Sequence, residues 1–579
     1  MRVLGLVTAR GGSKGFPGKN VALLAGRPLV VWAHRLLSRL RATHPELELA
    51  LSTDSPQIAE AWPPEDRPLR LRPPDLALDG TSSWEVVEYE LNRAEASGPP
   101  VDALLLVQPT SPLLRLDDLE AGWQAIAAGC ASIVGAVPVD HPVQWSFYVG
   151  ANGSTEPALS RTSTDARQEL RPAHLPAGFW MSTTRFLRQH RTLYAAGLTR
   201  AILVPGDHAC DIDRPVDLEI ARCRLRAISG ERTVRIEGRE IGDAAPVFVI
   251  AEAGVNHNGD PELAQELVRA AARAGADAVK FQTFEPREIA TRDAVKADYQ
   301  IATTGSTESQ REMLERLALP EETFRELKAT AERLGLVFLS SPFDAPSARL
   351  LERLGVAAFK LGSGELTNHP FLAELARMGR PLLLSTGMAT LDEVEDAAAV
   401  VSRHGAPPVV WLHCVSSYPA PHEQANLRAI ETLRLAVGGP IGMSDHSAGW
   451  EIALGAVALG ARVIEKHFTL SRTLPGPDHR ASLEPDELRQ MIEQLRRLEA
   501  ALGTGIKASA PCEASTREVA RKSLVAARDL PAGVRIGPAD LAAKRPGTGL
   551  SPALLDAVTG RILDRPLAAD EPLTWDHLR

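Results

Sequence analysis

The chain has 579 residues, 44% of them hydrophobic and 24% charged, with 44 glycines, 43 prolines and a formal charge of -9. Domains usually span about 100 to 200 residues, so several folded units are expected, and a disordered or collagen-like chain is excluded. The acidic balance excludes a general nucleic-acid binder but leaves room for local cationic pockets that take small anions.

The first apolar run stops at Arg10, too short for a secretory signal, and no uncharged apolar stretch reaches about 18 residues, so no membrane span is expected. Five scattered cysteines, Cys130, Cys210, Cys223, Cys414 and Cys512, form no CxxC pair. They fit reduced thiols in a cytoplasm.

Up to about residue 225, strand-length runs (VLGLVTA, LELALSTD, VDALLLVQPT, SIVGAVPV, AILVPG) alternate with helical patterns such as the one through His34 to Arg41. That alternation predicts an α/β domain with a Rossmann-like sheet over residues 1–228. A linker near 226–232 and a small hairpin follow. From Pro246, eight strand-like runs with helical patterns between them predict a TIM (β/α)8 barrel, 233–505 including the hairpin. Most runs begin apolar and finish polar: Glu252, Lys280, Ser341, Lys360 with Ser363 and Glu365, Ser385 with Thr386, Ser416 with Ser417, Ser444 with His446, and Glu465 with His467. In a barrel these positions converge on the C-terminal rim, where barrel enzymes carry their sites. The remainder, 519–579, has short strands broken by PAG and RPG turns and reads as a small β-rich module.

Two groups of residues carry chemistry. Residues 8–20 (TARGGSKGFPGKN) follow a strand directly, with glycines that let backbone N–H groups turn toward an anion and with Arg10, Lys14 and Lys19 as cationic donors. The spacing is neither a Walker A loop nor GxGxxG. Asp211 and Asp213, with one residue between them on an extended segment, point the same way and form a candidate Mg2+ pair. In the barrel, His446 and His467 end adjacent strands and suit a borderline divalent metal. Lys280 and Lys360, beside the hydroxyls of Ser363, Ser385, Thr386 and Ser444, describe a pocket for a small phosphorylated carboxylate.

Residues 1–225 resemble the CMP-sialic acid synthetases (acylneuraminate cytidylyltransferases) through ARGGSKG-x-PGKN, LRPPDLALDGTSS, QPTSPL, ARQEL and CDIDRPVDL. The resemblance implies that Arg10 and Lys19 contact CTP phosphates, that Ser13, Asn20, Arg72 and Ser83 lie at the cytidine, and that Gln108 and Arg167 hold an acid sugar. Leu175-Pro176-Ala177-Gly178 departs from the family's turn. Residues 233–579 resemble the N-acetylneuraminate (sialic acid) synthases through IAEAGVNHNGD, AVKFQT, KLGSGE, HCVSSYPAP, MSDHSAGWEIALGA, EKHFTL and LPGPDH, and the tail resembles their antifreeze-like (SAF) domain. Here the resemblance implies that His446 and His467 bind Mn2+ or a similar ion, that Lys280, Lys360, Ser363, Ser385 and Ser444 hold phosphoenolpyruvate, and that Glu252 and Glu465 contact the amino sugar. It also implies Glu365 as a base for the water step, Arg545 reaching a partner's N-acyl group, and a domain-swapped homodimer.

The expected function is a bifunctional one: phosphoenolpyruvate and an N-acyl amino sugar, N-acetylmannosamine or a relative, give a sialic-type acid, which CTP then activates. Rival readings are legionaminic acid specificity, octulosonate- or heptulosonate-type synthesis, and a degenerate half acting as a binding module.

Overall fold

The computed structural model describes all residues except 13–14, 69, 79, 140–142, 150–152, 160–172, 230–232, 297–299 and 302–307. The chain divides into two compact units, Met1–Ala500 and Ala501–Arg579.

The first unit opens with a six-stranded sheet ordered Arg200–Leu203, Ser132–Pro138, His174–Thr183, Ala103–Val107, Val3–Thr8, Leu47–Ser52. All neighbours are parallel except that His174–Thr183 runs antiparallel between Ala103–Val107 and Ser132–Pro138. Helices such as Leu29–Thr43 and Leu116–Ala127 bury their apolar stripes on the sheet through Leu37, Leu40, Leu119 and Trp123. The antiparallel strand contains Leu175-Pro176-Ala177-Gly178, the run that departs from the resembled family's turn. Its pairing with Ser132–Pro138 shifts register there. Gly178 has φ 79°, and a Cβ on it would meet the Ser111 hydroxyl at 2.0 Å, so the kink requires glycine. The helix Pro215–Ser229 also runs further than a linker starting near 226 allows.

The barrel strands are Phe248–Gly254, Ala278–Thr283, Val337–Pro342, Phe359–Leu361, Leu382–Ser385, Val409–Cys414, Ile441–Asp445 and Val463–His467. They pair in parallel, strand eight against strand one, and strands three and four pack side by side to nearly close the sheet. Strand alternation sorts their residues into two shells. Val249, Phe281, Phe338, Leu384 and Ile464 point outward into the core shared with the helices. Phe248, Ile250, Leu339, Leu383, Leu412 and Val463 point inward, and Val234, Ile236 and Ile241 of the hairpin join them, plugging the N-terminal end. One inward step further along the same strands stand Glu252, Lys280, Ser341, Lys360, Ser385, Ser444 and Glu465. The barrel is therefore apolar at its base and charged at its mouth.

The second unit pairs Ser523–Ala526 with Leu541–Lys544 antiparallel over a small core that includes Leu524, Leu530, Ile536, Leu563 and Leu573. Among the described residues, no helix is long and apolar enough to cross a membrane, and all five cysteines are free thiols.

Candidate active sites

In the sheet domain a cavity of about 410 Å3 opens at the C-terminal ends of the parallel strands, and Arg10, Lys19, Asn20, Arg72, Ser83, Gln108, Asp211 and Asp213 all line it. Ligands of open α/β sheets bind at this edge. Lys19 Nζ lies 2.7 Å from Asp213 Oδ1, so the cation and one member of the acidic pair meet in the cavity. Asn20 Nδ2 donates to the Arg10 carbonyl at 3.0 Å, tying the two ends of the glycine-rich loop together. Ser83 opens the helix Ser83–Ala96, which Ser82 and Glu85 cap, and its N-terminus offers an anion the positive end of the helix dipole. Asp211 and Asp213 flank the fully buried Ile212, which fixes both carboxylates on the cavity side. Hard oxygen donors in this arrangement fit Mg2+. Ser13, Lys14 and Arg167 lie outside the described residues. A neighbouring cavity of about 510 Å3 shares Gln108 and Asp211 and is walled by Leu175, Pro176, Ala177 and Gly178, the run that departs from the resembled family.

At the barrel mouth, Lys280 Nζ lies 2.8 Å from Glu252 and 3.7 Å from Glu465, and donates to Ser341 Oγ at 3.0 Å. Lys360 Nζ lies 3.4 Å from the other oxygen of Glu465 and donates to Ser385 Oγ at 2.8 Å. Ser444 Oγ donates to Glu465 at 2.7 Å. Burial pushes the Glu252 carboxyl up, against the pull of Lys280. Burial works against the charged form of Glu465 too, but Lys280 and Lys360 together with Ser444 outweigh it and hold that carboxyl down. The two glutamates thus differ in proton affinity although both are buried.

The rings of His446 and His467 stand 5.3 Å apart, with Tyr418 4.2 Å from the first and 5.7 Å from the second. His467 Nδ1 is buried without a hydrogen-bond partner, and burial, helped by His446 and Lys280, keeps the ring neutral. His446 Nδ1 donates to the Val415 carbonyl at 2.9 Å, which orients its ring. A neutral, unpartnered imidazole beside a second oriented one fits a divalent cation of the Mn2+ or Zn2+ kind. Among the described residues, three potential ligands converge instead at His34, Glu65 and Asp66, where Arg41 already occupies both oxygens of Asp66.

Other expected residues sit differently. Thr386 steps out of the inward register and donates its hydroxyl to the Leu412 carbonyl at 3.0 Å. Ser363 donates toward Cys414 Sγ and accepts from the Gly387 amide, and Ser416 stands 3.9 Å from the same sulfur. Glu365 is half-buried and accepts from Asn368, apart from the buried ion cluster. Arg545, in the second unit, is exposed and donates to the Ala520 carbonyl. Sequence reasoning passed over Tyr418, the buried Asp445–Lys466 pair at 2.8 Å, and the buried Asp478, whose carboxyl burial pushes up to about 6. Period-two counting from Ser444 and Glu465 would have assigned Asp445 and Lys466 to the outward shell.

Comparison with known proteins divides the chain in three. Residues 4–196 match the cytidylyltransferase family model, 267–507 the NeuB family, and 521–579 the SAF domain. The N,N'-diacetyllegionaminic acid synthase of Campylobacter jejuni is 44% identical over 326 residues, 56% of this chain and 98% of that protein. The human N-acetylneuraminate-9-phosphate synthase is 39% identical over 298 residues, 51% of this chain and 82% of that protein. The crystal structure of the N-acetylneuraminic acid synthetase of Leptospira borgpetersenii in complex with citrate is similar with a TM-score of 0.44 and 35% identity, covering 49% of this chain and 95% of that one.

Proposed function

Because the chain belongs to the NeuB family and carries a cytidylyltransferase domain before it and an SAF domain after it, we propose that it is a bifunctional enzyme. The barrel condenses phosphoenolpyruvate with an N-acyl amino sugar to a nonulosonic acid, and the sheet domain couples that acid to CTP. The observation that carries this reading is the buried ring of Lys280, Lys360, Glu252 and Glu465 beside His446 and His467, in which both lysines are almost wholly shielded from solvent.

In the condensation, C3 of the enolpyruvate bonds to the sugar aldehyde carbon, whose oxygen takes a proton and becomes a hydroxyl. Positive charge develops at C2, water adds there and loses a proton, and the C2–O bond to phosphate breaks to leave a ketone and inorganic phosphate. His446 and His467 would hold a divalent cation, which when bound supplies Lewis-acid polarisation of the aldehyde. Lys280 and Lys360, with Ser363, Ser385 and Ser444, hold the phosphate and carboxylate and stabilise the departing phosphate. Glu252 and Glu465 orient the amino sugar, and Glu365 takes the proton of the attacking water. Asp478 faces the same mouth and is a further sugar contact.

Before the second reaction the ketone closes on one of the sugar's own hydroxyls to a cyclic hemiketal; its C2 hydroxyl then loses a proton and the oxygen bonds to the α-phosphorus of CTP, the bond to the β-phosphate oxygen breaks, and diphosphate leaves. Asp211 and Asp213 would hold Mg2+, which when bound neutralises the triphosphate. Arg10, Lys14 and Lys19 bind the phosphates, Ser13, Asn20, Arg72 and Ser83 the nucleoside, and Gln108 and Arg167 the acid. Arg545 caps a partner's barrel in a domain-swapped homodimer, and the protein works in the cytoplasm.

The relative named for diacetyllegionaminic acid is more similar, over a longer stretch, than the one named for N-acetylneuraminate 9-phosphate. This favours a diacetylated amino sugar over N-acetylmannosamine. Incubation of the purified chain with phosphoenolpyruvate, each sugar in turn, CTP, Mn2+ and Mg2+ should release phosphate and diphosphate and give a CMP-sugar by mass spectrometry. Absence of phosphate release with every N-acyl amino sugar would defeat the proposal.

A further inference from the structure

The sheet domain meets the flank of the barrel along a seam built around a buried arginine. Leu23–Leu24 pairs antiparallel with Arg27–Pro28, and Ala25 and Gly26 turn the chain with φ 49° and 74°. The turn lies against the barrel helix Ala429–Val437, where a Cβ on Gly26 would come within 2.9 Å of Thr432 Cγ2. Arg27 leaves the hairpin with only 5% of its side chain exposed, stacks over Trp32 at 5.2 Å, and forks to Asp392 and, at 2.9 Å, to Glu395 on the barrel helix Leu391–Arg403. Arg35 joins the same two carboxylates at 2.8 and 2.7 Å. At the other edge of the seam Arg226, on the helix Pro215–Ser229, pairs with Glu431.

Between these two anchors lies a small separate core: Leu24 and Leu29 from the hairpin side, Leu218 and Ala221 from the helix, and Ile212. Ile212 is the residue between Asp211 and Asp213, and the hairpin follows Lys19 within a few residues. The floor beneath the acidic pair and the lysine is therefore clamped from both sides by arginines whose partners belong to the barrel. A buried guanidinium is costly unless carboxylates pair with it, and Arg27 meets one oxygen of each of two, both on the barrel, so the hairpin's shape is stabilised by the barrel.

We infer that the barrel is a structural part of the nucleotide site, and that Arg27 is a positioning residue which, through the hairpin and the small core, sets Lys19, Asp211 and Asp213 for CTP. The inference rests on reading the 410 Å3 cavity as the CTP site.

The test uses the full-length chain. Arg27→Met keeps an unbranched apolar stem but removes the guanidinium, with its charge and its stacking on Trp32, and Glu395→Gln weakens the same contact from the barrel side. With the acid sugar supplied, each should raise the KM for CTP, Arg27→Met by about tenfold, while condensation stays within about twofold of wild type. The double variant should be no worse than Arg27→Met alone, and Arg27→Lys should recover part of the loss. Amide exchange across residues 19–24 and 210–214 should quicken in Arg27→Met. An unchanged KM for CTP in folded variants, or equal loss of both activities, overturns the inference. If the wild type makes no CMP-sugar, the functional reading fails instead, and exchange decides the positioning claim: unchanged protection in Arg27→Met defeats it.

Discussion

The two sites of this chain treat charge in opposite ways. In the sheet domain the Asp213 side chain is 65% exposed and meets Lys19 in an open cavity. At the barrel mouth Lys280, Lys360, Glu252 and Glu465 are each at most 4% exposed and satisfy one another. Water screens the first set, so its charges stand ready for a triphosphate and cost little stability; the second set holds a fixed field with little solvent to reorganise during a reaction. Deletions in the first should therefore cost activity alone, and deletions in the second should cost activity and folding together.

The largest effect expected from that contrast is at Lys280. Lys280→Met leaves two buried carboxylates facing one lysine, which should abolish condensation and lower the stability of the barrel by about 3–5 kcal/mol in urea unfolding. A variant as stable as wild type would contradict the buried pairing. His467→Ala should cut condensation by about 100-fold or more and remove tight Mn2+ binding in a calorimetric titration, with CMP transfer intact. Loss of both activities in a folded protein would break the separation of the two sites. Asp211→Asn should do the reverse, lowering CMP transfer by about 100-fold with an unchanged melting temperature and an unchanged condensation rate.

The smallest effect concerns pH. Burial holds the His257 imidazole down to about 4, whereas in an unfolded chain it titrates near about 6.5. Between those values the unfolded chain takes up a proton that the folded one refuses. The stability this histidine contributes is thus complete above the unfolded value and is lost as pH falls toward the folded one, at about 1.4 kcal/mol per pH unit. His257→Gln should flatten the fall in stability between pH 6.5 and 4.5, and parallel curves for variant and wild type would show that the ring titrates normally.

Much of this was open to reading in the chain itself. Polar residues closing apolar runs marked the barrel mouth, because strand alternation sends every second residue inward and the barrel gathers strand ends at one rim. The same logic, applied residue by residue, separates Ser385 from Thr386 and Ser444 from Asp445. The strand His174–Thr183 was harder, since Pro176 and Gly178 within it are turn-forming residues, and only pairing with strands on both sides carries the segment through the kink at Gly178. Tyr418 carried no periodic signal at all, since it lies in a loop after strand six.

By itself, then, the sequence determined three domain types, the barrel with its apolar base and polar mouth, and most of the side chains that line both sites, because each of these follows from local periodicity or from compact motifs. Only the tertiary structure decided which charges pair. Glu465 meets both lysines, Lys19 meets Asp213, and Arg27 reaches across to Asp392 and Glu395. Partners hundreds of residues apart have no shared pattern in the chain, and their meeting depends on strand register and on how one domain packs against the next.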